Sequence, residues 1–297
     1  MTNNDRSGEI KAIAFIGTGV MGASMAGHLM DAGYALGVYN RTRSKADALI
    51  RKGAAWKESA GEAAASADAV ITIVGYPKDV EEIYLGHGGI IERARPGALL
   101  IDMTTSSPDL AVRIHEAALR RGIGACDAPV TGGDRGAREA TLSILFGGDG
   151  RDYERALPIL RVMGKNIARF GGAGSGQTAK LANQIIISGT MLGVCEGLAY
   201  AKRLGLDADE LLNCISGGAA SSWSLLNYGP RILRGDFEPG FFVKHFIKDM
   251  RLALESALSS GISPEGLKTA LSQYEKLSER GGAEYGTQGL YKVYDGE

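Results

Sequence analysis

Short apolar runs alternate with longer segments whose apolar residues recur every three or four positions, through about residue 172. The runs Ala12–Ile16, Leu36–Tyr39, Ala69–Val74, Ala98–Asp102, Gly124–Ala128, Leu142–Phe146 and Asn166–Arg169 predict strands. Between them, Ser24–Asp31, Lys45–Arg51, Pro108–Arg121 and Arg151–Met163 carry helical spacing. Such alternation is the mark of βαβ units, and several runs are continuously apolar, as strands are when helices cover both faces. The expectation is an α/β domain with a doubly wound parallel sheet.

After Gly171-Gly172-Ala173-Gly174 the strand signals stop. Ser175 to Leu204 reads as one long helix, with Ser175 as its N-cap and Gly205 just past its basic end. Asp207, followed three positions later by Glu210, starts another helix. Trp223–Leu233, Val243–Ser259 and Pro264–Glu279 follow. The chain therefore divides into a Rossmann-type domain, residues 1–172, and an all-α domain, residues 173–297. Residues 12–30 contain no Asp, Glu, Lys or Arg, but glycines at 17, 19, 22 and 27 interrupt them. A buried strand turning into a helix explains that stretch better than a membrane span or a targeting signal.

Composition narrows the function classes. The 297 residues are 44% hydrophobic and 23% charged, with a net charge of −1, which suits a globular enzyme. Near-neutral charge argues against nucleic acid or an anionic membrane as the main partner. The 43 glycines point to many ordered turns. Cys126, Cys195 and Cys214 are widely spaced and include no C-x-x-C pair, which fits reduced thiols and a cytoplasmic location. The four histidines have no metal-ligand spacing, so no metal site is expected.

Gly17-Thr18-Gly19-Val20-Met21-Gly22 is a G-x-G-x-x-G element between a buried strand and a helix, the context a dinucleotide site requires. Gly17 would make the tight turn, Gly19 would admit a pyrophosphate, and Gly22 would let helix and strand pack closely. A tight structural turn or a flavin site would use the same glycines. At the end of the second strand, where an NAD site usually carries an acid, the chain reads Asn40-Arg41-Thr42. Two hydrogen-bonding side chains flank a guanidinium suited to a 2′-phosphate, so NADP(H) is favoured and NAD(H) stays open.

Four segments together carry a resemblance: FIGTGVMGASMAGHLMDAGY, DAPVTGG at Asp127–Gly133, GSGQTAKLANQ at Gly174–Gln184, and KDM at Lys248–Met250. In this order they resemble the β-hydroxyacid dehydrogenase family, in its 3-hydroxyisobutyrate dehydrogenase-like branch, which includes tartronate- and succinic-semialdehyde reductases. The resemblance implies oxidation of a small carboxylate-bearing β-hydroxyacid, or reduction of its semialdehyde, in a cleft between the domains. It implies Lys180 as general acid/base, and Thr131, Gly132 and Gly133 as the carboxylate loop. Asn183 then hydrogen-bonds the substrate or orients Lys180. Gly75, Tyr76, Pro77, Val80 and Thr105 line the cofactor, Lys248 contacts the nicotinamide end or the substrate, and Asp249 supports local structure. A homodimer or homotetramer is also implied.

The residues make that chemistry coherent. Lys180 lies in the apolar run AKLANQIII, and desolvation would bring its pKa toward the working range. Paired glycines allow the unusual dihedrals of an anion-binding turn. One departure stands out: many relatives read K-x-x-N-N, whereas this chain has Gln184 in the last place, which moves the amide by one methylene. Trp223 could close over a substrate or sit in an interface. A non-catalytic dinucleotide-binding protein and an imine reductase are the competing readings on the same fold. The presence of Lys180 disfavours both.

Overall fold

The computed structural model describes residues 10–295. The chain forms two compact units, one ending at Ala179 and one beginning at Lys180.

In the first unit the described residues form a nine-stranded sheet. Its strands are β1 (Ala12–Ile16), β2 (Ala35–Tyr39), β3 (Ala55–Trp56), β4 (Ala69–Thr72), β5 (Leu99–Asp102), β6 (Gly124–Asp127), β7 (Val130–Thr131), β8 (Leu142–Gly147) and β9 (Gly164–Gly171). Their order is β3-β2-β1-β4-β5-β6-β8-β7, with β9 also paired to β8. From β3 to β6 every pairing is parallel. β8 runs antiparallel to both β6 and β7 and parallel to β9, so the expected parallel sheet has a mixed far edge. The link from β7 to β8 holds only the short helix Gly133–Arg138, too little chain for a parallel crossover. β3 and β7 have two residues each, too short to show a period in the sequence.

Strand β1 shows why the central runs are continuously apolar. Ile13 and Phe15 enter one core with Met25, Val38, Ile71 and Ile101, while Ala14 and Ile16 enter another with Val70, Leu100 and Ile114. Both faces of the sheet are buried, so period-2 alternation disappears. The first helix, Val20–Asp31, begins straight after the glycine turn, four residues before the apolar spacing becomes regular at Ser24.

The second unit continues the long helix Ser175–Arg203 and adds Ala208–Ile215, Trp223–Leu233, Val243–Ser259 and Glu265–Glu279, then 3₁₀ turns. The division between the compact units, Ala179 to Lys180, falls within the long helix. Leu181, Met191, Cys195 and Leu198 on this helix join Phe246, Met250, Leu271 and Tyr274 in one core. Phe246 meets Tyr274 edge-to-face at 5.1 Å. By length and composition the long helix could also cross a bilayer. On its other face Ile186 is 69% and Tyr200 66% exposed. Asp207 caps its helix, accepting from the Glu210 amide at 2.9 Å. Ser175 does not act as a cap: it is the first helical residue, and its hydroxyl donates to the Gly172 carbonyl at 2.7 Å.

Two glycines on the first helix give a direct comparison. A Cβ on Gly22 would lie 1.9 Å from the Gly17 carbonyl oxygen, whereas one on Gly27 would meet nothing within 4 Å. We expect Gly22→Ala to cost about 1–3 kcal/mol in urea unfolding. Gly27→Ala should instead gain up to ~1 kcal/mol from helix propensity.

Candidate active site

The glycine turn after β1 is built by close approach. Gly17 has φ +100°, and a Cβ there would lie 2.1 Å from the Ile73 carbonyl oxygen. Its amide donates to the Tyr39 carbonyl, which ties the turn to the end of β2. Gly19 is the N-cap of the first helix and supplies no side-chain cap, and a Cβ on it would meet only open space. The missing side chain at Gly19 thus serves no packing need of the protein. Thr18 Oγ1 is buried and has no hydrogen-bond partner among the described residues. Uncapped helix amides, an open Cα face and an orphan hydroxyl fit a pyrophosphate laid across this turn.

The neighbouring turn is held by Asn40, which accepts from the Thr18 amide at 3.0 Å and donates to the Thr42 carbonyl at 2.8 Å. Asn40 therefore bridges the two loops. The Arg41 side chain is 86% exposed and lies 3.4 Å from Asp79, on the helix Pro77–Leu85. Asp79 also accepts from the Tyr76 amide at 3.1 Å. Arg43, which the sequence reading passed over, lies over the Trp56 ring at 5.2 Å. Val80 departs from expectation: it is fully buried in the core with Ile16 and Tyr84 and presents no surface to a ligand. Its position one turn into a helix turns it onto the sheet. Gly75, Tyr76 and Pro77 do lie in the loop after β4 and at the start of that helix.

Beneath the ends of β4 and β5 lies a buried polar cluster with no signal in the sequence. Asp102 accepts from Thr72 Oγ1 at 2.8 Å and from the Thr104 amide at 3.1 Å, and Thr72 also meets Tyr84 Oη at 2.8 Å. Burial pushes the Asp102 carboxyl up to about 6, against the pull of the Thr104 and Thr72 hydrogen bonds. Thr105 sits half-buried between Thr104 and Ser106, in a loop clamped by Gln177. Gln177 accepts from the Ser106 amide and donates to the Thr104 carbonyl, each at 2.8 Å.

Asp127, at the end of β6, opens the DAPVTGG motif. Its carboxylate accepts from the Gly174 and Gln177 amides, each at 2.7 Å. It is the acceptor for the first turn of the long helix, the role expected of Ser175. Burial pushes its carboxyl up to about 6, while backbone amides, those of Gly174 and Gln177 foremost, oppose the rise. The space is tight, since a Cβ on Gly176 would lie 2.7 Å from the Asp127 carbonyl oxygen. Three residues beyond Asp127, Val130–Thr131 forms β7. Gly132 and Gly133 follow with φ +127° and +62°, a backbone that L side chains rarely adopt.

In the second unit, Lys180 is only 6% exposed. Burial lowers its ammonium from the usual lysine range to about 8, with Asp249 opposing the shift and Lys248 adding to it. Asp249, on the helix Val243–Ser259, is buried, and its Oδ1 lies 2.9 Å from the Lys248 ammonium. That contact is an ion pair without the geometry of a hydrogen bond. Asp249 Oδ2 accepts from Gln184 Nε2 at 2.6 Å, and Gln184 Oε1 accepts from Asn183 Nδ2 at 2.8 Å. Lys180, Asn183, Gln184, Lys248 and Asp249 thus form one cluster. Trp223 begins its helix exposed, edge-to-face on Tyr228.

Residues 12–172 match the NAD binding domain of 6-phosphogluconate dehydrogenase. Residues 174–294 match the family described as NAD-binding of NADP-dependent 3-hydroxyisobutyrate dehydrogenase. The chain is 52% identical to the uncharacterized oxidoreductase YkwC of Bacillus subtilis, over 96% of this chain and 99% of that one. It is 36% identical to the NAD-dependent L-serine dehydrogenase of Pseudomonas aeruginosa, over 96% and 98%. The solved structure of Mycobacterium tuberculosis 3-hydroxyisobutyrate dehydrogenase with L-serine superposes at a TM-score of 0.88, 32% identical, covering 96% of this chain and 99% of that one. An imine reductase from Pseudomonas sp. is similar at a TM-score of 0.60 and 19% identity, a likeness of fold alone.

Replacing Asp127 with Ala strands the Gly174 and Gln177 amides, each a buried donor worth roughly 1–3 kcal/mol when left unpaired. Chemical denaturation should show a loss of at least about 2 kcal/mol, against little change for Ser175→Ala, which removes only an outward bond to Gly172.

Proposed function

The chain belongs to the β-hydroxyacid dehydrogenase family and is an oxidoreductase that uses a nicotinamide dinucleotide. From that premise we propose that it interconverts a small β-hydroxyacid and its semialdehyde with NADP(H), and that Lys180 is its general acid/base. The observation that carries this reading is a buried lysine with its pKa lowered to about 8, set among Asn183, Lys248 and Asp249.

Oxidation of a secondary or primary alcohol needs its hydroxyl proton removed as hydride leaves the carbon. A bound oxidised nicotinamide supplies the hydride acceptor. Neutral Lys180 takes the hydroxyl proton, and in reduction its ammonium returns one to the developing alkoxide. A lysine at its ordinary pKa would be almost wholly protonated at neutral pH; at about 8 both forms are populated. Lys248 adds positive charge that favours a carboxylate ligand, and Asp249 keeps the local excess to a single charge. Within the first unit, the Gly17–Gly22 turn suits a pyrophosphate, and the positive φ of Gly132 and Gly133 suits an anion-binding turn. Arg41, next to Thr42 and held loosely by the exposed Asp79 pair, is the group for a 2′-phosphate.

The substrate class is open to direct assay by absorbance at 340 nm. NADP⁺ and NAD⁺ would be paired with 3-hydroxyisobutyrate and L-serine, and the reduced cofactors with tartronate, succinic and methylmalonate semialdehydes. Turnover of none of them would overturn the proposal. In the oxidative direction kcat/KM should rise with pH through about 8 and then level, because the neutral amine is the active form. In the reductive direction it should fall across the same range. Lys180→Met should lower kcat by about 10²–10⁴-fold while NADPH still binds, and a retained pH limb in that variant would assign the proton elsewhere. Arg41→Glu should weaken NADPH by about ten- to a hundredfold and leave NADH almost unchanged. Equal losses for both cofactors would reject the phosphate reading.

A further inference from the structure

Gln184 is the one position where the helix segment carrying Lys180 departs from the K-x-x-N-N pattern, and the structure shows where its longer side chain goes. It is fully buried and spans from Asn183 to Asp249. The three groups make a directed chain. An ionised carboxylate only accepts, so Gln184 must turn its amide nitrogen toward Asp249. Its carbonyl oxygen then faces Asn183, and Asn183 must answer with its own amide nitrogen. The carbonyl oxygen of Asn183 is the end turned away from this chain. The Lys248 ammonium lies 2.9 Å from the other carboxylate oxygen.

We propose that Gln184 and Asp249 are positioning residues that fix the polarity of Asn183, so that the substrate meets a hydrogen-bond acceptor there. The group bound by Asn183 is therefore a donor, the substrate's hydroxyl or amino group, and not its carboxylate. This inference rests on the reading of the cluster as the hydroxyacid site. An Asn at 184 is one methylene shorter and would hold the two partners less well. If the charge on Asp249 were lost, either amide orientation would be satisfied, and Asn183 would present oxygen or nitrogen indifferently. Such a site loses its preference for a donor-bearing ligand, because a buried acceptor left without a donor is what penalises the wrong one.

The test compares calorimetric affinities of the NADP⁺-loaded protein for 3-hydroxyisobutyrate and isobutyrate, and for L-serine and L-alanine, pairs that differ by the hydroxyl. Gln184→Met keeps the length of the side chain and removes the chain of amides. It should cut the preference for the hydroxylated member by about tenfold, with the pH limb of oxidation unmoved, because Lys180 keeps its charged neighbours. Asp249→Asn should cut the same preference. It should also move the limb to lower pH, since Asp249 is the group that raises the Lys180 pKa against burial, Lys248 pushing the other way. His245, on the same helix, is held below the usual imidazole range by burial, with Asp249 opposing, and is controlled by His245→Gln, which should leave the limb in place. Gln184→Asn serves if the Met variant fails to fold, and should give an intermediate loss.

Unchanged preference in a folded Gln184→Met or Gln184→Asn protein would overturn the proposal, as would a wild-type protein that binds both members of each pair equally. A limb that stays put in Asp249→Asn would reduce Asp249 to a structural role. Binding that discriminates as expected, without turnover of any hydroxyacid, would instead sink the acid/base reading and leave the polarity of Asn183 standing.

Discussion

A single buried carboxylate organises the start of the long helix. Asp127 collects the backbone amides of Gly174 and Gln177. A helix N-terminus carries unpaired donors and a partial positive charge, and an ionised carboxylate satisfies both at once. The constraint reaches outward from there. Gly176 has to be glycine because the strand end lies against it, and Gln177 is delivered to the loop after β5, where it holds Thr104 and Ser106. Lys180 is one turn further along the same helix. The sheet end and the helix start are thus a single hydrogen-bonded body.

The second organising feature is a small excess of buried charge. Two ammonium groups and one carboxylate, those of Lys180, Lys248 and Asp249, lie together with almost no water contact. Burial disfavours every charge in such a group, but unequally. Lys248 has the carboxylate at 2.9 Å, whereas Lys180 bears the desolvation that depresses its pKa. The same carboxylate, through Gln184, sets the direction of an amide chain. One residue therefore offsets the two ammonium groups and anchors the hydrogen-bonded chain through Gln184.

Much of the fold was legible in the chain because its signals are local. Strand β1 and the helices Trp223–Leu233 and Val243–Ser259 fall where the apolar spacing places them, and Asp207 caps as its spacing with Glu210 suggests. The glycine turn was also readable, since positive φ and close backbone approach demand residues that are conspicuous in any sequence. What escaped was either too short or too distant. Strands β3 and β7 have two residues each and leave no period. The burial of Val80 depends on which face of its helix meets the sheet. Asp127, Asp102 and Gln177 act across separations of tens of residues, with nothing in their immediate neighbours to mark them.

For this protein the sequence by itself determined the order of most elements, the glycine turn after the first strand and the change to an all-helical second half. Each follows from periodicity, glycine conformation or a motif contained in a few consecutive residues. Only the tertiary structure decided the antiparallel turn of the sheet at β8, the carboxylate that starts the long helix and the use of Gln184 as a bridge rather than a ligand. Those outcomes depend on which distant groups share a low-dielectric interior. There a polar group must find a partner, and the partner is chosen by packing rather than by sequence neighbourhood.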